Sequence, residues 1–265
     1  MIMHPISKKQ LTAIFNELPH CLLLTGKTGV GLRGIALEYA HSLDSTPYII
    51  TPDSKGTISI EVIRNMQTYI TQKHGSSHII MIDDADTLSH QAQNALLKSL
   101  EEPLSAIHFI LLSHTPSQLL PTVRSRAQEL EIKPITSSQS EKLLKNLSMT
   151  DPVKVQQLLF LANGLPAELT RLAENDSYYN EVSSSIKKAK DFLAASSYQK
   201  CIIIQSLDKK RLDSLQFIDH CLLLVKHGLL KHPANNTANH LEKLLIVREN
   251  LVQNGNIKAQ LLTLL

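Results

Sequence analysis

The chain has 265 residues, 43% of them hydrophobic, which is enough to bury more than one core. Aromatic residues make up 4% of it and tryptophan is absent, which argues against platforms of aromatic rings that stack on bases. The formal net charge of +3 permits contact with nucleic acid without indicating it.

The cysteines and the apolar runs indicate the compartment. Cys21, Cys201 and Cys221 are far apart and form neither a disulfide framework nor a CxxC metal pair, which favours a reducing cytosol. The longest apolar runs are much too short to span a bilayer. The first ten residues lack the apolar core of a signal peptide. We therefore expect a cytoplasmic protein with no membrane segment.

The chain opens with a predicted helix and a short strand. Ser7 is a suitable cap for a helix that runs to about Leu18, and Pro19 ends it. Residues 21–24 form a four-residue apolar run, which is typical of a buried parallel strand.

A glycine-rich loop follows this strand directly. A phosphate-binding loop reads Gly, four residues, Gly, Lys and then Ser or Thr. Gly26 and Gly31 fit that pattern, and Gly29 lies between them, but Leu32 stands at the lysine position and Arg33 at the hydroxyl position. Leucine cannot hold the terminal phosphates, and an arginine that touched a phosphate would repel the metal ion. The loop thus has the shape of a nucleotide site, and we expect neither ATP hydrolysis nor tight ATP binding there.

Two acids close the third predicted strand. Residues 48–51 form a second strand, and residues 78–82 form a third that ends at Asp83 and Asp84. Nucleotide-binding sheets hold a metal ion with acids at the carboxyl end of a strand. Active ATPases usually have Asp-Glu here, and the shorter Asp84 would position an attacking water less well. Two interpretations stay open: the acids belong to a nucleotide site, or they only cap the following turn.

The next predicted helix begins at its cap, Ser89, and ends at Pro103. Glu101 and Glu102 lie at its C-terminal end, where negative charge opposes the helix dipole. A local structural reason for them is therefore weak, which leaves either a contact role or two solvated acids.

The first part of the chain ends with two further strands. Residues 109–112 form a fourth strand, followed by the polar segment 113–115, which is either a γ-phosphate sensor or a plain exit from the strand. A short helix over 119–126 ends in an arginine pair, and 129–132 alternates as a fifth strand. Five strands that alternate with helices predict an α/β fold with a parallel sheet covered on both faces.

Beyond this sheet the pattern is helical throughout. Residues 134–140 read as a polar linker, which is followed by a small helical bundle that ends near residue 175. Four or five amphipathic helices then run to residue 265, with enough apolar surface for association with other subunits. We therefore predict three domains: 1–134, 135–175 and 176–265.

Three motifs carry a resemblance to a known family: IDDAD at 82–86, NALLKSLEEP at 94–103, and Ser125-Arg126. Together they resemble the clamp-loader AAA+ proteins, and within that family the non-hydrolysing subunits of bacterial DNA polymerase III. The resemblance covers the chain in order. It implies an AAA+ five-stranded parallel sheet sandwiched by helices, a helical lid and an all-α collar for oligomerisation.

The resemblance also implies a function in DNA replication. Five subunits of such a loader, ATPase and delta subunits among them, form a ring through their collars and open the sliding clamp on primer–template DNA. An arginine reaches from one subunit into the ATP site of its neighbour, and the matching residue here is Arg126. The chain would then be a replisome-associated cytoplasmic subunit of a DNA-directed DNA polymerase holoenzyme, without intrinsic ATPase activity. Lys98 is a candidate DNA contact or simply a solvated lysine.

The chain departs from the family pattern at several positions. The cysteine after Ser125-Arg126 is replaced by Ala127, and the lid's sensor arginine is missing near Ala167. Many relatives carry a four-cysteine zinc module, but no cysteine occurs between Leu32 and Ser77, so we predict no zinc and no other metal.

Three hypotheses remain open on the sequence alone. The chain is a silent subunit that donates Arg126, with Gly26, Gly29, Gly31, Arg33, Asp83 and Asp84 as a degenerate nucleotide site. Alternatively, it is an ATPase in its own right that uses Arg33 or Lys27. In the third hypothesis it is a pure scaffold in which Arg126 forms a salt bridge only within its own chain.

Overall fold

The computed structural model describes residues 2–16, 19–42, 45–72, 78–102, 107–207, 211–231, 235–253 and 255–265. The predicted helix end at Leu18 and the predicted stop at Pro103 lie outside these ranges. The chain divides into two compact units, Met1–Glu174 and Asn175–Leu265.

The first unit is built on a five-stranded parallel sheet. The strands are β1 Cys21–Thr25, β2 Tyr48–Ile50, β3 His78–Ile82, β4 Ile107–Ser113 and β5 Gln128–Glu131. They lie in the order β2-β3-β4-β1-β5. This confirms the predicted α/β class and all five predicted strands.

Eight helices accompany the sheet within the described part of the first unit. They are α1 Pro5–Asn16, α2 Leu32–Ser42, α3 Ile60–Gln72, α4 His90–Glu101, α5 Pro121–Arg124, α6 Ser137–Asn146, α7 Pro152–Ala162 and α8 Pro166–Glu174. Helices α3 and α4 contribute to an apolar cluster that contains Leu23, Ile80 and Phe109 of the strands. Helices α1 and α2 contribute to a second cluster, with Leu22 and Ile110. Because side chains alternate along a strand, the two clusters lie on opposite faces of the sheet.

The first helix begins two residues earlier than predicted. It starts at Pro5, so Ser7 lies inside α1 and is buried instead of capping it. The Ser7 hydroxyl donates to the carbonyl of Glu131 at 3.4 Å and accepts the N–H of Lys133 at 3.0 Å. The serine therefore joins α1 to the end of β5, a long-range role that local capping rules do not reveal.

The predicted polar linker is partly helical. The Thr136 hydroxyl accepts the N–H of Gln139, and the Gln139 side chain accepts the N–H of Thr136, which together form a capping box. Helix α6 consequently begins at Ser137, so the linker prediction was wrong for residues 137–140. Helices α6 to α8 belong to the same compact unit as the sheet. Their separate status as a lid domain stays a prediction.

The second unit is helical throughout the part that the structure describes. Its core includes Phe192 and Phe217, whose rings meet edge to face at 5.3 Å. Large apolar side chains are also exposed, among them Tyr198, Ile202 and Ile246. No described helix of either unit is both long and apolar enough to cross a membrane. The helices are α9 Asp176–Ala194, α10 Ser197–Ser206, α11 Arg211–Lys231, α12 Asn235–Val252 and α13 Ile257–Leu262.

Candidate functional site

The glycine-rich loop connects β1 to α2 at the carboxyl edge of the sheet. Gly29 and Gly31 have φ values of +88° and +91°, a region that residues with side chains rarely adopt. A Cβ on Gly26 would lie 2.9 Å from Val30 Cγ1 and 3.0 Å from the carbonyl oxygen of Ile132. The backbone therefore requires glycine at all three predicted positions.

Leu32, at the lysine position of the loop, lies in the apolar core. Its side chain is 2% exposed and belongs to the same cluster as Val30 and Ile35. Its Cδ2 lies 3.4 Å from the place where a Cβ on Gly26 would stand, so the side chain reaches back across the loop. An apolar side chain in this position offers a phosphate no hydrogen-bond donor.

Arg33, at the hydroxyl position, is paired with Asp83, the acid that directly follows β3. Its Nη1 lies 3.1 Å from Asp83 Oδ2. The Asp83 side chain is 15% exposed, whereas that of Arg33 is 52% exposed. The guanidinium thus neutralises the carboxylate that would otherwise be available to a metal ion, and its own charge repels a cation at this point.

Asp84 lies beside this ion pair in a left-handed conformation, with φ of 48°. Its carboxylate makes no cap hydrogen bond to the short turn that follows, Ala85–Thr87. Oδ1 lies 3.7 Å from Nε2 of His114. Burial, and next the negative charge of Asp83, raise the pKa of Asp84 above its usual range. Asp84 therefore faces other titratable groups instead of capping the turn through its side chain.

His114 joins the glycine loop to the acidic segment. Its Nδ1 lies 2.8 Å from the carbonyl oxygen of Gly26, and its backbone N–H donates to Asp86 Oδ1 at 3.0 Å. Ser113, the last residue of β4, is fully buried, and its hydroxyl has no hydrogen-bond partner among the described residues. The sequence left a plain polar exit and a phosphate sensor open for 113–115. His114 contacts both the loop and the acids.

The N-terminus of α8 also contacts the glycine loop. The carbonyl of Gly29 accepts the N–H of Ala167 at 3.0 Å and that of Glu168 at 3.1 Å. A Cβ on Gly29 would lie 3.0 Å from Glu168 Cβ. Free N–H groups at a helix N-terminus commonly bind anions, but these two bind a carbonyl of the same chain. The sequence analysis did not predict this contact.

Arg126 lies in the turn after α5, because that helix ends at Arg124 and does not extend to residue 126 as predicted. Its Nη2 lies 2.6 Å from Glu101 Oε1 at the end of α4, and its Nη1 donates to the carbonyl of Thr122 at 2.9 Å. Arg124 pairs with Glu129 instead, at 2.9 Å. Glu101, for which the sequence gave only a weak structural reason, thus has an ion pair.

Gln93 is a buried polar residue that the sequence analysis missed. Its Nε2 donates to the carbonyls of Leu88 and Gln118, each at 3.2 Å, and its Oε1 accepts the N–H of Leu120 at 2.7 Å. The amide therefore connects α4 to the segment that leads into α5 and Arg126. A glutamine beside Ala92 on the inward face of a predicted helix was the only available signal.

The sheet order, the glycine loop after β1 and the acids that follow β3 define the AAA+ class of α/β proteins. Two solved structures support this fold. A DNA polymerase III gamma subunit-related protein of Thermotoga maritima superposes with a TM-score of 0.54 at 17% identity, covering 97% of this chain and 96% of that one. A RuvB mutant of Thermotoga maritima superposes with a TM-score of 0.54 at 16% sequence identity, covering 99% of this chain and 88% of that one.

Sequence comparisons point to the clamp loaders within this class. The family model described as DNA polymerase III, delta subunit, matches residues 44–136. The DNA polymerase III subunit delta' of Pseudomonas aeruginosa is 28% identical over 181 residues, which is 58% of this chain and 55% of the relative. The delta' subunit of Yersinia pestis is 38% identical over 82 residues, 30% of this chain and 24% of the relative.

A replication factor C small subunit of Methanococcus vannielii is 29% identical over 148 residues, 53% of this chain and 47% of the relative. The chain thus matches about half or less of the length of these relatives. It resembles the clamp-loader AAA+ proteins, and among them the delta-prime subunit of bacterial DNA polymerase III.

Proposed function

We propose that the chain is a delta-prime-like subunit of the DNA polymerase III clamp loader that does not hydrolyse ATP and donates Arg126 to a neighbouring ATP site. The observation that carries the first half is the ion pair between Arg33 and Asp83, at 3.1 Å. It occupies the place where a hydroxyl and a carboxylate would hold magnesium.

The other contacts of the glycine loop also support a site that does not hydrolyse ATP. Leu32 gives a phosphate no donor, and the carbonyl of Gly29 is bound by two N–H groups of α8. The residues of this site therefore do not fit a complex of ATP with magnesium. No three described His, Cys, Asp or Glu side chains form a set that could hold a metal ion.

The proposed partners follow from the relatives, which are named as subunits of DNA polymerase III and replication factor C. The chain would join ATPase and delta subunits in a five-membered ring that loads a sliding clamp on primer–template DNA in the bacterial cytoplasm. The exposed apolar side chains of the second unit, among them Ile202 and Ile246, would supply part of the collar. Lys98, exposed on α4, remains the candidate DNA contact.

Arg126 is the residue proposed to act in trans. Its side chain is 35% exposed at the end of a short turn, so a neighbouring subunit can approach it. An arginine supplied in trans accelerates phosphoryl transfer by roughly 10³–10⁵-fold in characterised systems. The guanidinium would stabilise charge that develops on the phosphoryl oxygens of the neighbour's ATP.

The test is the DNA-stimulated ATPase rate of a reconstituted loader that contains Arg126→Ala. We expect a large loss of rate with the complex still assembled. Arg124→Ala is the matched control, because this neighbouring arginine is also partly exposed, at 42% against 35% for Arg126, but pairs with Glu129. A rate for Arg126→Ala within about two-fold of the wild type would contradict the proposal.

A second candidate function, a pure scaffold, is favoured by one observation. Arg126 is paired with Glu101 of its own chain, at 2.6 Å. In a scaffold, Arg126→Ala would leave the ATPase rate unchanged while the loader assembles normally. An ATPase of its own, through Arg33 or Lys27, would instead show turnover by the isolated chain that Asp83→Asn abolishes.

A further inference from the structure

We infer that Glu101 is a positioning residue for Arg126, so that the carboxylate orients the guanidinium for the phosphate of the neighbouring subunit. This inference rests on the proposed function and deepens it. It concerns a residue at the end of α4 that is remote from the glycine loop in sequence and that belongs to a different element from Arg126.

The geometry fixes the guanidinium from two sides. Glu101 Oε1 of α4 lies 2.6 Å from Nη2, and the carbonyl of Thr122 in α5 lies 2.9 Å from Nη1. The Ser125 hydroxyl lies 3.4 Å from the same Nη1. Two separate elements therefore set the direction of one side chain.

The chemistry of arginine lets these contacts coexist with a phosphate. A guanidinium carries five N–H donors in a planar fork, and the contacts to Glu101, Thr122 and Ser125 use only part of them. The remaining donors are free to meet phosphate oxygens. A long, flexible side chain loses rotamer freedom when it binds, and a side chain that is already oriented loses less. This smaller entropy loss accelerates the reaction only if the guanidinium is oriented as the transition state requires.

The position of Glu101 in α4 is electrostatically unfavourable. A carboxylate in the last turn of a helix opposes the negative end of the helix dipole. Glu102, the next residue, carries the same charge and is exposed, but it forms no ion pair among the described residues. The pairing with Arg126 is thus specific to Glu101, and Glu102 provides a matched control.

The test uses the reconstituted loader with five variants of this chain: Glu101→Ala, Glu101→Gln, Glu102→Ala, Arg126→Ala and the double variant Glu101→Ala/Arg126→Ala. The glutamine keeps an oxygen that can accept from Nη2 and removes the charge. The kcat and KM for ATP are measured separately, and thermal unfolding of each variant chain verifies its fold.

We expect Glu101→Ala to lower kcat by about threefold or more with little change in KM, because only the oriented state serves the transition state. Glu101→Gln should recover most of that loss, and Glu102→Ala should behave as the wild type. In the Arg126→Ala background, Glu101→Ala should have no further effect, since Glu101 acts only through Arg126.

Three results would overturn the inference: an unchanged kcat in Glu101→Ala, a raised kcat, or an additional loss in the Arg126→Ala background. If Arg126→Ala lowers the rate and Glu101→Ala does not, the inference fails and the donated arginine stands. If Arg126→Ala itself has no effect, the proposed function and the inference both fail.

Discussion

Arg33 and Asp83 are joined by an ion pair of 3.1 Å that connects the first turn of α2 to the end of β3. In an active site of this class the same two positions cooperate in holding magnesium. Here Arg33 stands at the hydroxyl position and places its positive charge against Asp83. In the proposed function, this ion pair takes the place of the magnesium contacts.

This exchange predicts that the isolated chain does not bind ATP with magnesium. Thermal unfolding should show no increase in midpoint with millimolar nucleotide, because a ligand stabilises the fold only when its concentration approaches Kd, which should exceed about 1 mM. The double variant Leu32→Lys/Arg33→Thr restores the missing lysine and hydroxyl and serves as a comparison. It should gain at most weak binding, since α8 still holds the carbonyl of Gly29. A wild-type midpoint that rises with ATP would contradict this.

Gln93 predicts a stability effect away from any ligand. Gln93→Ala leaves the carbonyls of Leu88 and Gln118 and the N–H of Leu120 without this partner. A buried group left unpaired costs about 1–3 kcal/mol. Because two of these three hydrogen bonds are only partly buried, we expect a total loss of about 1–3 kcal/mol in the free energy of unfolding. Denaturant unfolding measures it, with the exposed Gln91→Ala on the same helix as control. Equal stability of the two variants would show that water replaces the lost bonds.

His220 predicts a pH dependence. Burial lowers its pKa from 6.5, with the charge of Asp219 acting in the opposite direction, and its Nδ1 lies 2.8 Å from the Ser185 hydroxyl. The unfolded chain thus binds a proton at a higher pH than the folded chain does. The contribution of His220 to the stability of the fold is fully present above pH 6.5. It is lost as the pH drops from 6.5 toward the lower pKa of the folded state.

The measurement for His220 is the unfolding midpoint of the full chain across that pH range. His220→Gln should reduce the slope. The remaining slope includes His20, whose pKa burial also lowers. An identical slope in the variant and the wild type would exclude His220 as a source of the effect.

The three cysteines should differ in reactivity. Cys21 and Cys221 are buried, and burial raises the pKa of each thiol to about 12, whereas Cys201 is partly exposed. Because the thiolate is the reactive form, a thiol reagent should modify one cysteine rapidly in the folded chain and all three after denaturation. Cys201→Ser should abolish the rapid phase. Rapid modification of any thiol in the folded Cys201→Ser variant would contradict the burial of Cys21 or Cys221.

The five strands could be predicted from the sequence because four contain short apolar runs and the fifth, β5, alternates polar and apolar residues. The cap of α4 was equally readable, since the Ser89 hydroxyl accepts the N–H of Ala92 as expected. The glycines of the loop were also predictable, because the spacing pattern that requires glycine spans only a few consecutive residues. Such signals are carried by residues close together in the chain.

The contacts that complete the site are not local. The ion pair of Arg126 with Glu101 and the contact of α8 with Gly29 both join separate elements, and no periodicity encodes which charged side chains will meet. The Thr136 and Gln139 capping box was readable in the sequence, but the polar composition around it favoured a linker. The start of a helix in a polar segment is thus harder to predict from sequence than a strand in an apolar run.

The most direct test of the central claim is a structure of the assembled loader with an ATP analogue bound to the active subunits. The account predicts that the Arg126 guanidinium lies within hydrogen-bond distance of the terminal phosphate in the neighbouring site, with Glu101 still in contact, while the Gly26–Arg33 loop of this chain holds no nucleotide. An Arg126 that points only to Glu101 and Thr122 of its own chain, remote from any phosphate, would contradict it.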